Sequence, residues 1–227
     1  MSVEDQKRAV GEAAAALVEP GMIVGLGTGS TAVWFVRALG ERRLDIRGVP
    51  TSEGTAALAR EVGIELMELD AAGQIDLTVD GADEIGPGLA LIKGGGGALL
   101  REKLVWEASR RCVVIADAAK RVPLLGRFPL PIEVVAFGHE TTLKRIISGL
   151  SDEGLATIPT LRMRDGAPFR TDSGNLIYDA ACGTIVDPPA IEAVLKSITG
   201  VVDHGLFLGL AERALIAGDD GVITIRP

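Results

Sequence analysis

Three short segments of this sequence combine glycines with groups that can move protons or hold negatively charged oxygen, and each follows an apolar run. The first is Gly25-Leu26-Gly27-Thr28-Gly29-Ser30-Thr31. Its glycines let backbone N–H groups come close to a ligand. A helix starting here would aim its partly positive end at the same point. Thr28, Ser30 and Thr31 add hydroxyl donors, so the loop suits a phosphate monoester. A tight turn with a Ser or Thr helix cap is the structural alternative. Gly27-x-Gly29-x-x-Ala32 meets only the relaxed dinucleotide fingerprint, and the next strand leads to Pro50-Thr51-Ser52 rather than to a ribose-binding acid.

The second segment is Asp80-Gly81-Ala82-Asp83-Glu84, after the run Ile75 to Val79. Two carboxylates three residues apart can hold sugar hydroxyls, a divalent cation or a proton in transit. Glu84 reads as a solvated acid of an Asx-type turn. The third is Lys93-Gly94-Gly95-Gly96-Gly97, running into a helix predicted over 98–110. The lysine precedes the glycines and no Gly-Lys-Ser/Thr follows, so this is not a Walker loop. Four glycines cost backbone entropy, which a purely structural role hardly justifies. Glu102 falls on the helix face of Ala98, Val105 and Trp106, away from Arg101. It reads either as a helix-dipole acid or as a carboxylate in a partly dry cleft, where its pKa would rise toward that of a useful base.

The elements that must position these groups alternate in the first half. Helices are predicted over 3–18, 31–43 and 53–62, and short apolar strands over 22–26, 46–49, 64–69, 75–79 and 112–116. Continuous apolar strands between helices indicate a parallel sheet covered on both faces, with ligands beyond the carboxyl ends of the strands. After the stiff connector Phe128-Pro129-Leu130-Pro131 the order becomes strand (132–137), helix (140–150), strand (155–163), strand (169–181), helix (188–199), strand (201–208). That is a split βαββαβ unit. The tail adds one strand, Val222 to Ile225. The fold class is therefore α/β: a parallel-sheet, Rossmann-like domain over 1–127 and 209–227, with an inserted smaller α+β ferredoxin-like domain over 128–208.

Composition excludes several classes. A length of 227 residues with 47% apolar content supports a buried core and argues against general disorder. The net charge of −8, with no basic run, argues against nucleic-acid binding. No run approaches the roughly 18 uninterrupted apolar residues of a spanning helix. Met1 to Arg8 is charged and precedes an alanine-rich helix, unlike a signal peptide. Cys112 and Cys182 lie apart in apolar surroundings, as expected of a reduced, cytoplasmic protein. With only His139 and His204 and no His/Cys cluster, neither a zinc site nor a metal cofactor is expected.

Taken together in this order, the three loops resemble those of the ribose-5-phosphate isomerase type A family. Ala98-Leu99-Leu100-Arg101-Glu102-Lys103, Ile115-Ala116-Asp117-Ala118-Ala119-Lys120, Phe128-Pro129-Leu130-Pro131-Ile132-Glu133-Val134 and Gly205-Leu206-Phe207 extend the likeness over nearly the whole chain. The resemblance implies interconversion of ribose 5-phosphate and ribulose 5-phosphate, without metal or other cofactor, in the non-oxidative branch of the pentose phosphate pathway. It implies Glu102 as the base between C2 and C1, with Asp80, Asp83 and Lys93 around the hydroxyls and the developing enediolate. It places Thr28, Gly29, Ser30, Thr31, Gly81, Ala82, Gly94, Gly95, Gly96 and Lys120 at substrate-binding positions, with Lys7 near the phosphate. A homo-oligomer, dimer or dimer of dimers, is implied as well, with Leu206-Phe207-Leu208 and the second domain offered as its interface. The likeness departs at Pro50-Thr51-Ser52 and at Ala181-Cys182-Gly183. Two rival functions use similar parts: a non-catalytic sugar-phosphate sensor, and an acyl or CoA transferase with a nucleophilic glutamate. A sensor would need neither Glu102 nor Lys93.

Overall fold

The computed structural model describes all 227 residues. The chain divides into two compact units. The first comprises Met1–Ala82, Arg101–Arg121 and Gly209–Pro227; the second comprises Asp83–Leu100 and Val122–Leu208.

A seven-stranded sheet forms the first unit. Its spatial order is Gly221–Ile225, Arg213–Gly218, Cys112–Asp117, Leu77–Gly81, Ile23–Leu26, Arg47–Pro50, Glu65–Leu66. All neighbours pair in parallel except Gly221–Ile225, which returns antiparallel on Arg213–Gly218. The six parallel strands thus lie in the order 3-2-1-4-5-6 of doubly wound sheets, and the order reverses between Ile23–Leu26 and Leu77–Gly81. Period-2 alternation feeds both faces. Leu77 and Val79 join a core with Val10, Phe35 and Leu39 from the helices Val3–Ala15 and Ala32–Arg42. Thr78 between them points to the other face and meets the Ser109 hydroxyl at 2.7 Å. Each fully buried Leu, Val or Phe contributes about 1.5–3 kcal/mol.

In the second unit, an antiparallel sheet runs Val201–His204, Leu130–Val134, Leu176–Ala180, Thr160–Leu161. The helices His139–Asp152 and Pro188–Ser197 supply Ile146, Leu150, Ile191 and Leu195 to its core, beside Ile132, Val134 and Tyr178. Asp187 caps the second helix as the sequence suggests, accepting from the Ala190 N–H at 3.1 Å. Glu133 is fully buried on the central strand and accepts from the Thr171 hydroxyl at 2.9 Å and from Asn175 Nδ2 at 3.0 Å. Burial pushes its pKa up, against the pull of those two bonds.

Several boundaries differ from expectation. Residues 83–100 and 122–127 group with the second unit rather than the first. Leu91–Ile92 pairs with Glu84–Ile85 and with Leu206–Phe207, and Val122 and Leu125 enter the second core. The strand expected over 201–208 breaks at Gly205, whose N–H donates to Pro131 O and whose carbonyl accepts from the Lys93 N–H, each at 2.8 Å. Leu206 and Phe207 are therefore interior, at 0% and 1% exposure, and cannot form the interface suggested for them. The strand expected over 155–163 shrinks to Thr160–Leu161, because Pro159 has no N–H to pair and Ile158 faces solvent. The tail holds two strands, not one, since Arg213–Gly218 and Gly221–Ile225 form a hairpin around Asp219-Asp220. No helix is long and apolar enough to cross a membrane.

Candidate active site

At the point where the order of the first sheet reverses, the strand Ile23–Leu26 leads into Gly27. Its neighbour Leu77–Gly81 includes Asp80 and Gly81 as its last residues, not as loop. Open parallel sheets take ligands at such a point. Asp80 is fully buried, and its Oδ1 accepts from the Thr28 N–H at 3.0 Å and from its neighbour Gly81 N–H at 2.7 Å. The phosphate-type loop and the first carboxylate are thus one construction. Gly27 is what lets them meet: a Cβ there would lie 2.3 Å from Asp80 Oδ1 and 2.6 Å from Asp80 Cα. Gly27→Ala is expected to push Asp80 and the Thr28 N–H apart. A misplacement of about 1 Å can cost up to about 100-fold in rate. We expect a kcat loss of about 10- to 100-fold in a folded protein, checked by steady-state kinetics beside a melting curve; an unchanged kcat would separate Asp80 from the chemistry.

The Thr28 hydroxyl lies 2.7, 2.8 and 3.1 Å from the hydroxyls of Thr51, Ser52 and Thr55. Thr55 in turn donates to Gly27 O at 3.0 Å, and Thr51 to Leu26 O at 3.0 Å. This hydroxyl cluster fixes the loop from beneath, so Pro50-Thr51-Ser52, where the family likeness departs, has a supporting role of its own. Ser52 also caps the helix Glu53–Glu61. By contrast Thr31, at the start of Ala32–Arg42, makes no side-chain cap bond. That helix end therefore keeps its positive pole toward whatever lies over Gly29 and Ser30, both exposed. Thr31 also borders Gly81, where a Cβ would stand 3.9 Å from the Thr31 Cβ.

Glu102 lies in the first turn of the helix Leu99–Glu107 and is 4% exposed. Val105 and Trp106 are buried on its side, whereas Arg101 is turned outward to Glu53 Oε1 at 2.8 Å. A surface helix-dipole acid would be solvated, so burial favours the dry-cleft reading. Lys120 ends a short 3-10 turn after Asp117, whose Oδ1 accepts from the Ala119 N–H at 3.0 Å. Lys7 is paired with Glu4 Oε1 at 2.8 Å on the first helix.

The second unit holds the other half of the sequence motifs. Lys93 is 2% exposed, and its Nζ stands 5.4 Å from the centroid of the buried Phe207 ring. A burial this deep demands compensation, and the ring face gives part of it. Asp83 is tied to the Lys93 loop at both ends: its N–H donates to Ile92 O at 2.8 Å, and its Oδ2 accepts from the Gly95 N–H at 2.7 Å. The turn Gly94–Gly97 needs glycine at both ends, with φ of +101° and +86°; a Cβ on Gly97 would sit 2.4 Å from the Phe169 ring. Gly95 and Gly96 form its exposed tip.

Glu84 is not the solvated acid expected. It is 1% exposed, and its two carboxylate oxygens accept from the Gly126 and Phe128 N–H groups, each at 2.7 Å. Sequence reasoning also missed Thr55 and Arg162. The first had a signal, three hydroxyl residues within Thr51 to Thr55; the second had none, since its partners lie far off in sequence.

A family model described as ribose 5-phosphate isomerase A (phosphoriboisomerase A) matches residues 47–221. The chain is 66% identical over 227 residues to ribose-5-phosphate isomerase A of Caulobacter sp. (strain K31), with both chains fully covered. Among solved structures, ribose 5-phosphate isomerase from Plasmodium falciparum superposes with a TM-score of 0.94 at 37% identity, covering 99% of each chain. A D-ribose-5-phosphate isomerase in complex with phospho-erythronic acid gives 0.93 at 38% identity, covering all of both chains. With a family model matched over residues 47–221 and relatives aligned over its whole length, the chain belongs to the ribose 5-phosphate isomerase A family.

Proposed function

We propose that the protein interconverts D-ribose 5-phosphate and D-ribulose 5-phosphate through an enediolate, in the non-oxidative branch of the pentose phosphate pathway. The observation that carries this is the burial of the Glu102 carboxylate and the Lys93 ammonium, at the two ends of the segment that leads from the Gly94–Gly97 turn into the helix Leu99–Glu107. A sensor has no use for either group. The phosphate binds at Gly29, Ser30 and Thr31, where the helix pole favours an anion, with Lys120 as a further substrate contact. Asp83 or Asp80 assists ring opening. Glu102 then takes the C2 proton; the electron pair forms the C1–C2 double bond and the carbonyl pair moves onto O1. Lys93 and the N–H groups of the Gly94 to Gly96 turn are assigned to the charged oxygen, since such donors are the usual source of the largest stabilisation. Asp80 passes the hydroxyl proton from O2 to O1. Collapse of O2 to a carbonyl returns the Glu102 proton to C1, so no proton is gained or lost overall. Gly81 and Ala82 are the backbone that carries Asp80 and Asp83.

The same reading makes the protein a cytoplasmic homo-oligomer, dimer or dimer of dimers. It also includes the ferredoxin-like description of 128–208, which the strand order of the second unit supports.

The test is incubation with ribose 5-phosphate alone, following ketose formation. Full activity is expected after dialysis against EDTA, because Asp80 and Asp83 already accept backbone N–H bonds and a lysine replaces a cation beside the oxyanion. Loss on dialysis with recovery on adding magnesium would overturn the role of Lys93. A requirement for CoA would favour a transferase.

A further inference from the structure

One arginine of the second unit reaches the Gly-rich turn from outside it. Arg162 follows the strand Thr160–Leu161 and is pinned by its backbone, donating to Ile177 O and accepting from the Phe169 N–H, each at 2.8 Å. Its side chain is 15% exposed. The Nε donates to Asp179 Oδ2 at 2.8 Å and Nη2 donates to Asp179 Oδ1, a two-point fork that sets the plane of the guanidinium. The remaining edge turns to the glycine turn: Nη1 donates to Gly94 O at 2.9 Å and to Gly95 O at 3.2 Å.

The carbonyl of Gly94 and the N–H of Gly95 belong to one peptide group. Its oxygen receives Arg162 and its N–H donates to Asp83 Oδ2 at 2.7 Å. The order is therefore carboxylate, guanidinium, peptide, carboxylate: Asp179, Arg162, Gly94–Gly95, Asp83. A cation on the peptide oxygen draws charge through the amide and makes its N–H a stronger donor. It also stops the peptide from rotating, a freedom that a run of four glycines would otherwise keep.

We propose that Arg162, held by Asp179, is a positioning residue for Asp83, fixing that carboxylate and the Lys93 turn through the Gly94–Gly95 peptide. The proposal rests on the reading of Asp83 as part of the reacting centre. Arg162 touches no reacting atom; it acts through one peptide. A lysine is a poor substitute, since a point charge cannot fork onto Asp179 and reach the peptide oxygens together.

The test is a double-mutant cycle on the full-length protein: Arg162→Met, Asp83→Asn and the pair, with kcat and KM for ribose 5-phosphate and a melting curve for each. Arg162→Met alone is expected to lower kcat about 10- to 100-fold with KM changed by less than about threefold, as loss of orientation would. In the Asp83→Asn background the same change is expected to cost less than about twofold, because the carboxylate it serves is gone. If Arg162→Met leaves kcat intact, or costs the same factor in both backgrounds, Arg162 only supports the fold and the proposal fails. If Asp83→Asn itself isomerises at the parent rate, the assignment of Asp83 fails, and the proposal with it. Should Arg162→Met not fold, Asp179→Asn replaces it, keeping shape while loosening the fork; the same loss confined to the Asp83 background is required.

Discussion

Glu102→Gln is expected to bind ribose 5-phosphate with near-unchanged affinity and to stop exchanging the C2 proton with deuterated water. The substitution keeps side-chain volume and hydrogen-bonding reach at a position only 4% exposed, so no cavity is opened. What disappears is the basic lone pair. Loss of a general base costs on the order of 100- to 10,000-fold in rate, or about 3–5 kcal/mol of barrier. In the proposed reading phosphate anchoring falls to Gly29, Ser30 and Thr31, which the change does not touch. Exchange of solvent deuterium into recovered aldose isolates proton abstraction from ketose release. A folded variant that exchanges at the parent rate would remove Glu102 as the base and leave Asp80 as the leading candidate.

Lys93→Met should lower turnover far more than it weakens binding. An ammonium beside an oxygen that becomes anionic only during the reaction acts mainly on the transition state. Removing one such donor costs about 100- to 1,000-fold in kcat. Methionine keeps apolar contact with the Phe207 ring, which sits 5.4 Å from Nζ, so the comparison is not confounded by a cavity. Saturation kinetics settle the matter. Unchanged kcat with a large rise in KM would make Lys93 a ground-state phosphate contact instead.

Glu102 and Lys93 both stand out in the bare sequence. Glycine runs with a neighbouring acid or lysine at strand ends announce themselves, because a short polar segment after an apolar one has few other uses. The parallel sheet is legible for the same reason, since the alternation of helices and apolar strands is a local pattern. What stays hidden depends on distant partners. Glu84 looks solvated in sequence because nothing nearby says that the Gly126 and Phe128 N–H groups will close over it. Arg162 looks like one more surface arginine until Asp179 and Gly94 are brought to it. The break at Gly205 is masked by the apolar pairs Val201-Val202 and Leu206-Phe207 on either side of it, which read as one strand, and the strand Arg213–Gly218 by the charged residues that flank it. Thr51 and Ser52 register only as a departure from the family pattern, although their hydroxyls hold Thr28 in place.

The interior position of Arg213–Gly218 has a consequence for how the chain is made. Leu215 and Ala217 of that strand lie in the same core as Val10 and Ala14 of the helix Val3–Ala15, so residues made early pack against residues made much later. The second unit ends at Leu208 and has all of its strands before the first unit has its sixth. The unit begun second is therefore completed first. At about 5–20 residues per second the interval lasts only seconds, but throughout it the apolar stripe of Val10, Ala14 and Val18 lacks part of its cover. In a newly made chain, that stripe is the surface on which a chaperone would have reason to bind.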